Sequence, residues 1–223
     1  MKTNGCIIII QTVLALAAGS AFSADVKKAD AMKVCAGVQK RYQSEKNFSA
    51  AFMQRSKIKG YPMPQVASGR VYFTRPDRMR WDYEEPEKKH IVSDGKTLWM
   101  YMPSLEQAYR SQFALALQSS VAAAFLSGMA DICSSFKPEI TDYEEGRPYR
   151  LVLTPVVKDS SVERLTLFVD PISFTVEETE LLDPYGNINQ LIFTGIDTKS
   201  PVEKSLYDFT PPEGTNIIDS PNN

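Results

Sequence analysis

A strict two-residue alternation in the middle of the chain is the feature that most constrains the fold. In residues 78–84, Met79, Trp81 and Tyr83 alternate with arginine and acidic side chains. Successive side chains of a β-strand point to opposite faces of the sheet, so this pattern is typical of a strand with one apolar and one charged face. The segment predicts a half-buried strand, and the rest of the chain has to supply the sheet around it.

The same period recurs on both sides of this segment, and turn residues separate the runs. Phe48, Ala50 and Phe52 share one face of a preceding run, and Val71 and Phe73 share one face of the next. Further strands are predicted up to residue 93 and over residues 96–102, 149–157, 163–169, 174–181, 188–196 and 206–209. Short strands with turns about every ten residues indicate an antiparallel sheet, either a barrel or a strongly curved sandwich.

Two segments have a different pattern. Residues 25–44 predict an opening helix, with Val26, Ala29, Met32, Ala36 and Tyr42 near helical spacing. Residues 111–130 contain no Asp, Glu, Lys or Arg and predict one or two short helices, because their Gln and Ser residues disfavour a membrane span. Such a helix is either buried in a core or covers an apolar cavity and moves.

The N-terminus has the pattern of a secretory signal peptide. A lysine at position 2 precedes an apolar run over residues 7–18, and small residues at positions 21 and 23 predict cleavage after Ser23. A retained membrane anchor is the alternative. Residues 24–223 then form one domain that keeps two cysteines, Cys35 and Cys133, which form either one long-range disulfide or two separate buried thiols.

Composition excludes several functional classes. The net charge of −2 provides no basic surface for nucleic acid, and the single histidine excludes sites that need two or three His ligands. His90 is predicted to be exposed beside two lysines. The sequence contains no nucleophile elbow, phosphate loop or metal-ligand spacing. We therefore expect no catalytic, metal or cofactor site and no enzymatic activity.

The remaining candidate site is apolar. Val71, Phe73, Met79, Trp81 and Tyr83 share one surface, and the following hairpin adds either Trp99 and Tyr101 or Leu98, Met100 and Met102. These residues fill a core or line a cavity that accepts flexible acyl chains, for which Met and aromatic groups are suited. Arg75 is in phase with the apolar side chains, and backbone carbonyls at a helix C-terminus would satisfy it there. The alternative is an arginine that reaches solvent from the end of its strand.

Several blocks of the sequence resemble one family. They are Gly69-Arg70-Val71-Tyr72-Phe73-Thr74-Arg75-Pro76, Met79-Arg80-Trp81, Ser93-Asp94-Gly95-Lys96-Thr97-Leu98-Trp99, Gln107 and Phe209-Thr210-Pro211-Pro212-Glu213-Gly214. This set is similar to the periplasmic outer-membrane lipoprotein carriers, the LolA family. The resemblance implies a mainly β, single-domain, incomplete and highly curved antiparallel barrel, with an α-helical lid over a hydrophobic cavity.

The resemblance also implies a function. A monomeric periplasmic carrier would receive acylated lipoproteins from an inner-membrane ATP-driven transporter and pass them to an outer-membrane acceptor. Arg75 would hold the lid closed. The implied cavity residues are Val71, Phe73, Met79, Trp81, Tyr83, Leu98 and Met100, and the implied lid residues are Phe113, Leu115, Leu117, Val121, Phe125 and Leu126. A fold-related domain that senses lipids or lipoproteins, or a small outer-membrane barrel, is the alternative.

Overall fold

A computed structural model describes residues 19–114, 131–142, 147–157 and 161–220, with side chains from residue 30 onward. Most of the predicted signal peptide and the predicted lid residues Leu115, Leu117, Val121, Phe125 and Leu126 lie outside these ranges. Among the described helices, none combines the length and apolarity that a membrane crossing requires.

One sheet of twelve strands dominates the structure. The strands are β1 Asn47–Lys57, β2 Gln65–Thr74, β3 Arg78–Glu85, β4 Lys89–Ser93, β5 Thr97–Met102, β6 Gln107–Gln112, β7 Phe136–Asp142, β8 Tyr149–Pro155, β9 Arg164–Val169, β10 Val176–Leu182, β11 Ile188–Asp197 and β12 Asn216–Asp219. Within the described ranges the helices are α1 Gly19–Ser44 and α2 Ile132–Ser135, with 3₁₀ turns at Pro103–Leu105 and Lys204–Tyr207.

The sheet curls around its core but does not close. Its strand order is β12-β6-β5-β4-β3-β2-β1-β11-β10-β9-β8-β7, so β12 and β7 are the edge strands of the sheet that the described residues form. All neighbours are antiparallel except β12, which pairs with β6 in parallel. The prediction of a mainly β, incomplete barrel is confirmed, and the parallel pair at one edge is the exception to its antiparallel character.

Several predictions of secondary structure need correction. The segment predicted as helical from residue 111 begins as strand, because Ser111 and Gln112 extend the pairing of β6 with Leu98 and Thr97. Strands β6 and β7 were not predicted; β7 contains Pro138, which an edge strand tolerates. The predicted strand over 206–209 is wrong, since a 3₁₀ turn occupies Lys204–Tyr207.

Helix α1 packs against β7 and β8, with a different phase from the one predicted. Its buried side chains are Ala31, Val34, Cys35, Val38 and Tyr42, whereas Met32 and Ala36 are exposed. The buried set follows the i, i+3, i+4, i+7, i+11 spacing of a single helical face. The prediction chose positions between Val26 and Tyr42 that drift around the helix.

Candidate functional site

Register identifies the side chains that share the inner face of the curled sheet. Directly paired residues project to the same side, and two rows cross five adjacent strands. One row is Phe48, Phe73, Met79, Ser93 and Leu98, and the next is Ala50, Val71, Trp81, Ile91 and Met100. We call this surface, from β1 to β5, the inner face. It contains all seven residues predicted for a cavity, because Tyr83 lies in the following row.

The middle of the inner face is densely aromatic. The rings of Phe52 and Trp81 lie 5.0 Å apart, and those of Phe73 and Trp81 lie 6.0 Å apart, both edge to face. Val71, Phe73, Met79 and Trp81 are at most 7% exposed and belong to the core cluster that also contains α1. These four residues therefore form the floor of the core, while Tyr83 and Leu98 are only partly buried against it.

Gly69 allows two of these rings to meet. It pairs with Phe52 on one side and with Tyr83 on the other, at a bulge in the β2–β3 pairing. A Cβ atom at Gly69 would collide with the backbone carbonyl of Asp82. Without a side chain between them, the rings of Phe52 and Tyr83 approach to 5.0 Å across β2.

The two faces of β5 have separate partners, which decides between the alternatives for this hairpin. Leu98 and Met100 pair with Ser93 and Ile91 and lie on the inner face. Trp99 and Tyr101 lie on the opposite, outer face, where both rings pack against Phe209 at 6.0 and 5.6 Å.

Arg75 follows the last residue of β2 and lies near the C-terminal end of α1. Its backbone N–H donates to the carbonyl of Lys46 at 2.9 Å, and its side chain is half-buried. Burial lowers the pKa of Arg75 from its ordinary value, and the nearby Glu45 and Tyr42 oppose that shift. Within the described residues, the guanidinium donates no hydrogen bond, so the proposed lid carbonyls remain a prediction.

Of the predicted lid residues, only Phe113 is described. It is 3% exposed and belongs to the core cluster. Its backbone N–H donates to the carbonyl of Lys96 at 2.9 Å, which fixes the point at which the chain leaves β6.

Cys35 and Cys133 form a disulfide that joins α1 to α2, with Cα atoms 5.9 Å apart. Two further contacts support the same junction. The backbone N–H of Cys133 donates to Oε1 of Gln39 at 3.2 Å, and the side chain of Ile132 is fully buried. Helix α1 is therefore linked to the start of β7 both covalently and by packing.

The outer face of β3 and β4 contains a polar network. The prediction of an exposed His90 is wrong, because its Nδ1 lies 2.6 Å from Oδ1 of Asp82 and its ring stacks on Tyr101. Arg80 Nε donates to the other oxygen of Asp82 at 2.7 Å. Register explains the error, since Asp82 and His90 are directly paired and the residues next to His90 in sequence did not reveal this.

The C-terminal segment covers this outer network. Arg80 Nη1 donates to the carbonyl of Leu206 at 2.9 Å, and the hydroxyls of Tyr207 and Thr74 lie 2.9 Å apart. Tyr207 is 2% exposed. Sequence reasoning missed this role of Tyr207, although the block that begins at Phe209 and carries part of the family resemblance lies just after it.

Taken together, the molecule is an open curled sheet with an aromatic inner face and a helix packed inside it. Residues 43–210 match the family of the outer membrane lipoprotein carrier protein LolA. Because this match spans more than half of the chain, the protein belongs to that family. The resemblance in the sequence is thereby confirmed.

Curated relatives cover most of the chain. The outer-membrane lipoprotein carrier protein of Nitrosomonas europaea is 32% identical over 171 residues, 77% of this chain and 82% of that protein. The protein of the same name from Chromobacterium violaceum is 30% identical over 208 residues, 93% of this chain and 95% of that protein.

A solved structure shares the fold. It is that of an uncharacterized conserved protein from Thermus thermophilus, with a TM-score of 0.54 and 15% identity. The match covers 86% of this chain and 99% of that chain.

Proposed function

We propose that the protein is a periplasmic carrier that binds the acyl chains of lipoproteins on the inner face and moves them from the inner to the outer membrane. The observation that carries this proposal is the apolar surface of the inner face across β1–β5, whose two rows contain Ser93 as their one polar side chain, in a chain that belongs to the LolA family. Residues 1–23 would direct export and be removed.

The physical need for such a carrier is large. Each acyl CH₂ group exposed to water costs about 0.8 kcal/mol, so a lipoprotein with several acyl chains would not leave a membrane unaided. Aromatic and methionine side chains offer a surface that adapts to flexible chains. Met79, Met100 and Trp81 supply these groups on the inner face.

We assign Arg75 the role of a latch. Its half-buried position near the end of α1 supports this role. In the closed state, the guanidinium would donate hydrogen bonds to backbone carbonyls of the lid. A few hydrogen bonds of about 1 kcal/mol each would hold the core closed yet release it when acyl chains compete for the same space.

The partners follow from the direction of transport. An ATP-driven transporter of the inner membrane would load the carrier, and an outer-membrane acceptor would unload it. Neither step needs a cofactor on the carrier, because the work of extraction is done by the transporter.

Mass spectrometry of the protein purified from periplasm tests the proposal. The expected result is a bound triacylated lipoprotein that co-elutes with the protein in size-exclusion chromatography. The control is the same protein carrying Met100→Asp, a charge on a partly exposed part of the inner face, which should purify folded but without lipid. A native protein that carries no acylated molecule, and takes up none when incubated with a triacylated lipopeptide, would contradict the carrier role.

A further inference from the structure

The inner face changes character along its strands. Towards the end at which β1, β3 and β5 terminate, the row of Phe52, Tyr83 and Lys89 follows the two apolar rows. Beyond it, Gln54 pairs with Ala67 and Ser56 pairs with Gln65. One surface is therefore apolar at its floor and polar at this end, which is the polarity of an amphiphile.

A cleft of about 550 Å³ lies at this polar end. It is bounded by the β1–β2 hairpin on one side and by the β3–β4 turn on the other. Gln54, Tyr83, Lys89 and Met102 are among the residues that line it. Its size is within the range of sites that bind small molecules or short chain segments.

Lys89 is the most unusual residue of the cleft. Its ammonium lies 4.0 Å from the centre of the Tyr83 ring, in a cation–π contact. Within the described part of the chain it forms no ion pair and no side-chain hydrogen bond. Burial lowers its pKa from the ordinary value. Its N–H donors therefore have no acceptor among the described residues and are available to a ligand.

The neighbouring groups form an ordered chain. The hydroxyl of Tyr83 donates to Oε1 of Gln54 at 2.9 Å, and Nε2 of Gln54 donates to Oδ1 of Asn189 at 3.0 Å. Because the proton of Tyr83 is already used, its oxygen can only accept a further hydrogen bond. The charged donors of the cleft are Lys89 and the exposed Lys88, and of these Lys89 is the one that contacts the Tyr83 ring.

We propose that this cleft binds the junction between the acyl chains and the peptide of a lipoprotein, with Lys89 donating to its ester and amide carbonyls. The assignment rests on the proposed carrier function and adds an orientation, with the acyl chains on the aromatic floor and the first peptide residues at the polar end.

The charges of the cleft favour a neutral, carbonyl-rich ligand over an anionic headgroup. Glu85, Glu87 and Lys88 also line it and are exposed, so with Lys89 the lining carries two negative and two positive formal charges. A lining with no net charge does not select an anionic headgroup, whereas its carboxylates can accept hydrogen bonds from the N–H groups of a peptide and its ammonium groups can donate to carbonyls. The cleft therefore offers donors and acceptors in the mixture that a peptide linked through esters presents.

Two ligands separate this subsite from the apolar floor. The first is a synthetic triacylated cysteinyl peptide, and the second is phenylnaphthylamine, an apolar fluorescent probe without ester or peptide groups. The variant Lys89→Met removes the donor and keeps the length of the side chain. Its control is Lys57→Met, the same change on the exposed, outer side of β1.

We expect Lys89→Met to weaken lipopeptide binding about tenfold, in line with one lost hydrogen bond from a charged donor. Probe binding should be unchanged, Lys57→Met should match the wild type, and Lys89→Arg should recover most of the affinity. Equal lipopeptide affinity of wild type and Lys89→Met overturns the subsite while the carrier function stands. A proportional loss of probe binding overturns it too, because Lys89 would then support the fold. A wild-type protein that binds no lipopeptide overturns both proposals.

Discussion

Among the described residues, a helix covers one face of the sheet and the C-terminal segment covers the other, and the two covers are attached in different ways. On the concave side α1 packs against β7 and β8 and is joined to α2 by the Cys35–Cys133 disulfide. On the outer side the described residues around Tyr207 are attached by packing, hydrogen bonds and ring contacts, without a covalent link, to Thr74, Arg80, Trp99 and Tyr101.

The aromatic residues of the two faces also have different surroundings. The outer aromatic residues of β5 are matched by Phe209 of the same chain, so they have a local partner. The inner aromatic residues belong to a surface that runs across five strands and changes from apolar to polar along its length. The inner face is therefore the surface on which we propose that the acyl chains bind.

Truncating one tryptophan on each face should give the largest contrast in stability. Trp81→Ala should lower the free energy of unfolding by about 3–5 kcal/mol, because a buried indole leaves a cavity. Trp99→Ala should cost only about 1 kcal/mol, since Trp99 is partly exposed and keeps its neighbours. Urea denaturation followed by circular dichroism measures both, and equal losses would contradict the ranking of the two faces.

Removing the disulfide that joins α1 to α2 should give the second-largest loss of stability. A bridge between residues 98 positions apart restricts the unfolded chain, so the double variant Cys35→Ser with Cys133→Ser should lose about 2–4 kcal/mol. Wild type in reductant should approach the same value, and the variant should not respond to reductant. A variant as stable as the oxidised protein would show that packing of Ile132 and α1 alone holds this cover.

The proposed latch should affect delivery more than folding. Arg75→Leu should lower transfer of lipoprotein to an outer-membrane acceptor at least about tenfold, equivalent to ~1.4 kcal/mol. The reason is that loss of the latch would change the free energy of the empty, closed state relative to the loaded state. The matched control is Arg110→Leu, which removes an exposed ion pair with Asp219 at the sheet edge and should leave transfer within about twofold. Wild-type transfer by Arg75→Leu would remove the latch from the proposal.

Removing a single hydroxyl group from the C-terminal segment on the outer face should have the smallest effect on stability. Tyr207→Phe removes the hydroxyl that meets Thr74 and should cost about 1 kcal/mol in stability, without an effect on lipopeptide affinity. Tyr185→Phe, at a tyrosine that is 79% exposed, should change neither quantity. Weakened lipopeptide binding by Tyr207→Phe would show that the two faces are coupled.

The sequence predicted most of the sheet because alternation is a local signal. Met79, Trp81 and Tyr83 show their face directly, and Asp94-Gly95 marks its hairpin with Gly95 at positive φ. Contacts that depend on the register between strands, such as Asp82 with His90 or Tyr83 with Lys89, could not be predicted from the sequence. It also missed β12, because a four-residue parallel edge strand has too few side chains to show a period.

The site was predicted in part for the same reason. The apolar floor follows from the strand pattern, and Arg75 follows from its phase and from the family resemblance. The polar end was missed because Gln54, Lys89 and Asn189 lie on three strands that are far apart in sequence. Their side chains are brought to one end of the sheet only when the sheet forms. The phase of α1 was missed because alanines at several positions allow more than one apolar stripe.

The two tryptophans of the chain, Trp81 on the inner face and Trp99 on the outer face, allow the central claim to be tested directly. A triacylated lipopeptide with brominated acyl chains quenches an indole only on contact. With Trp99→Phe, the remaining Trp81 should be quenched on titration, whereas with Trp81→Phe, the remaining Trp99 should keep its emission. Quenching of Trp99 with no effect on Trp81 at saturating lipopeptide would contradict binding of the acyl chains at the inner face.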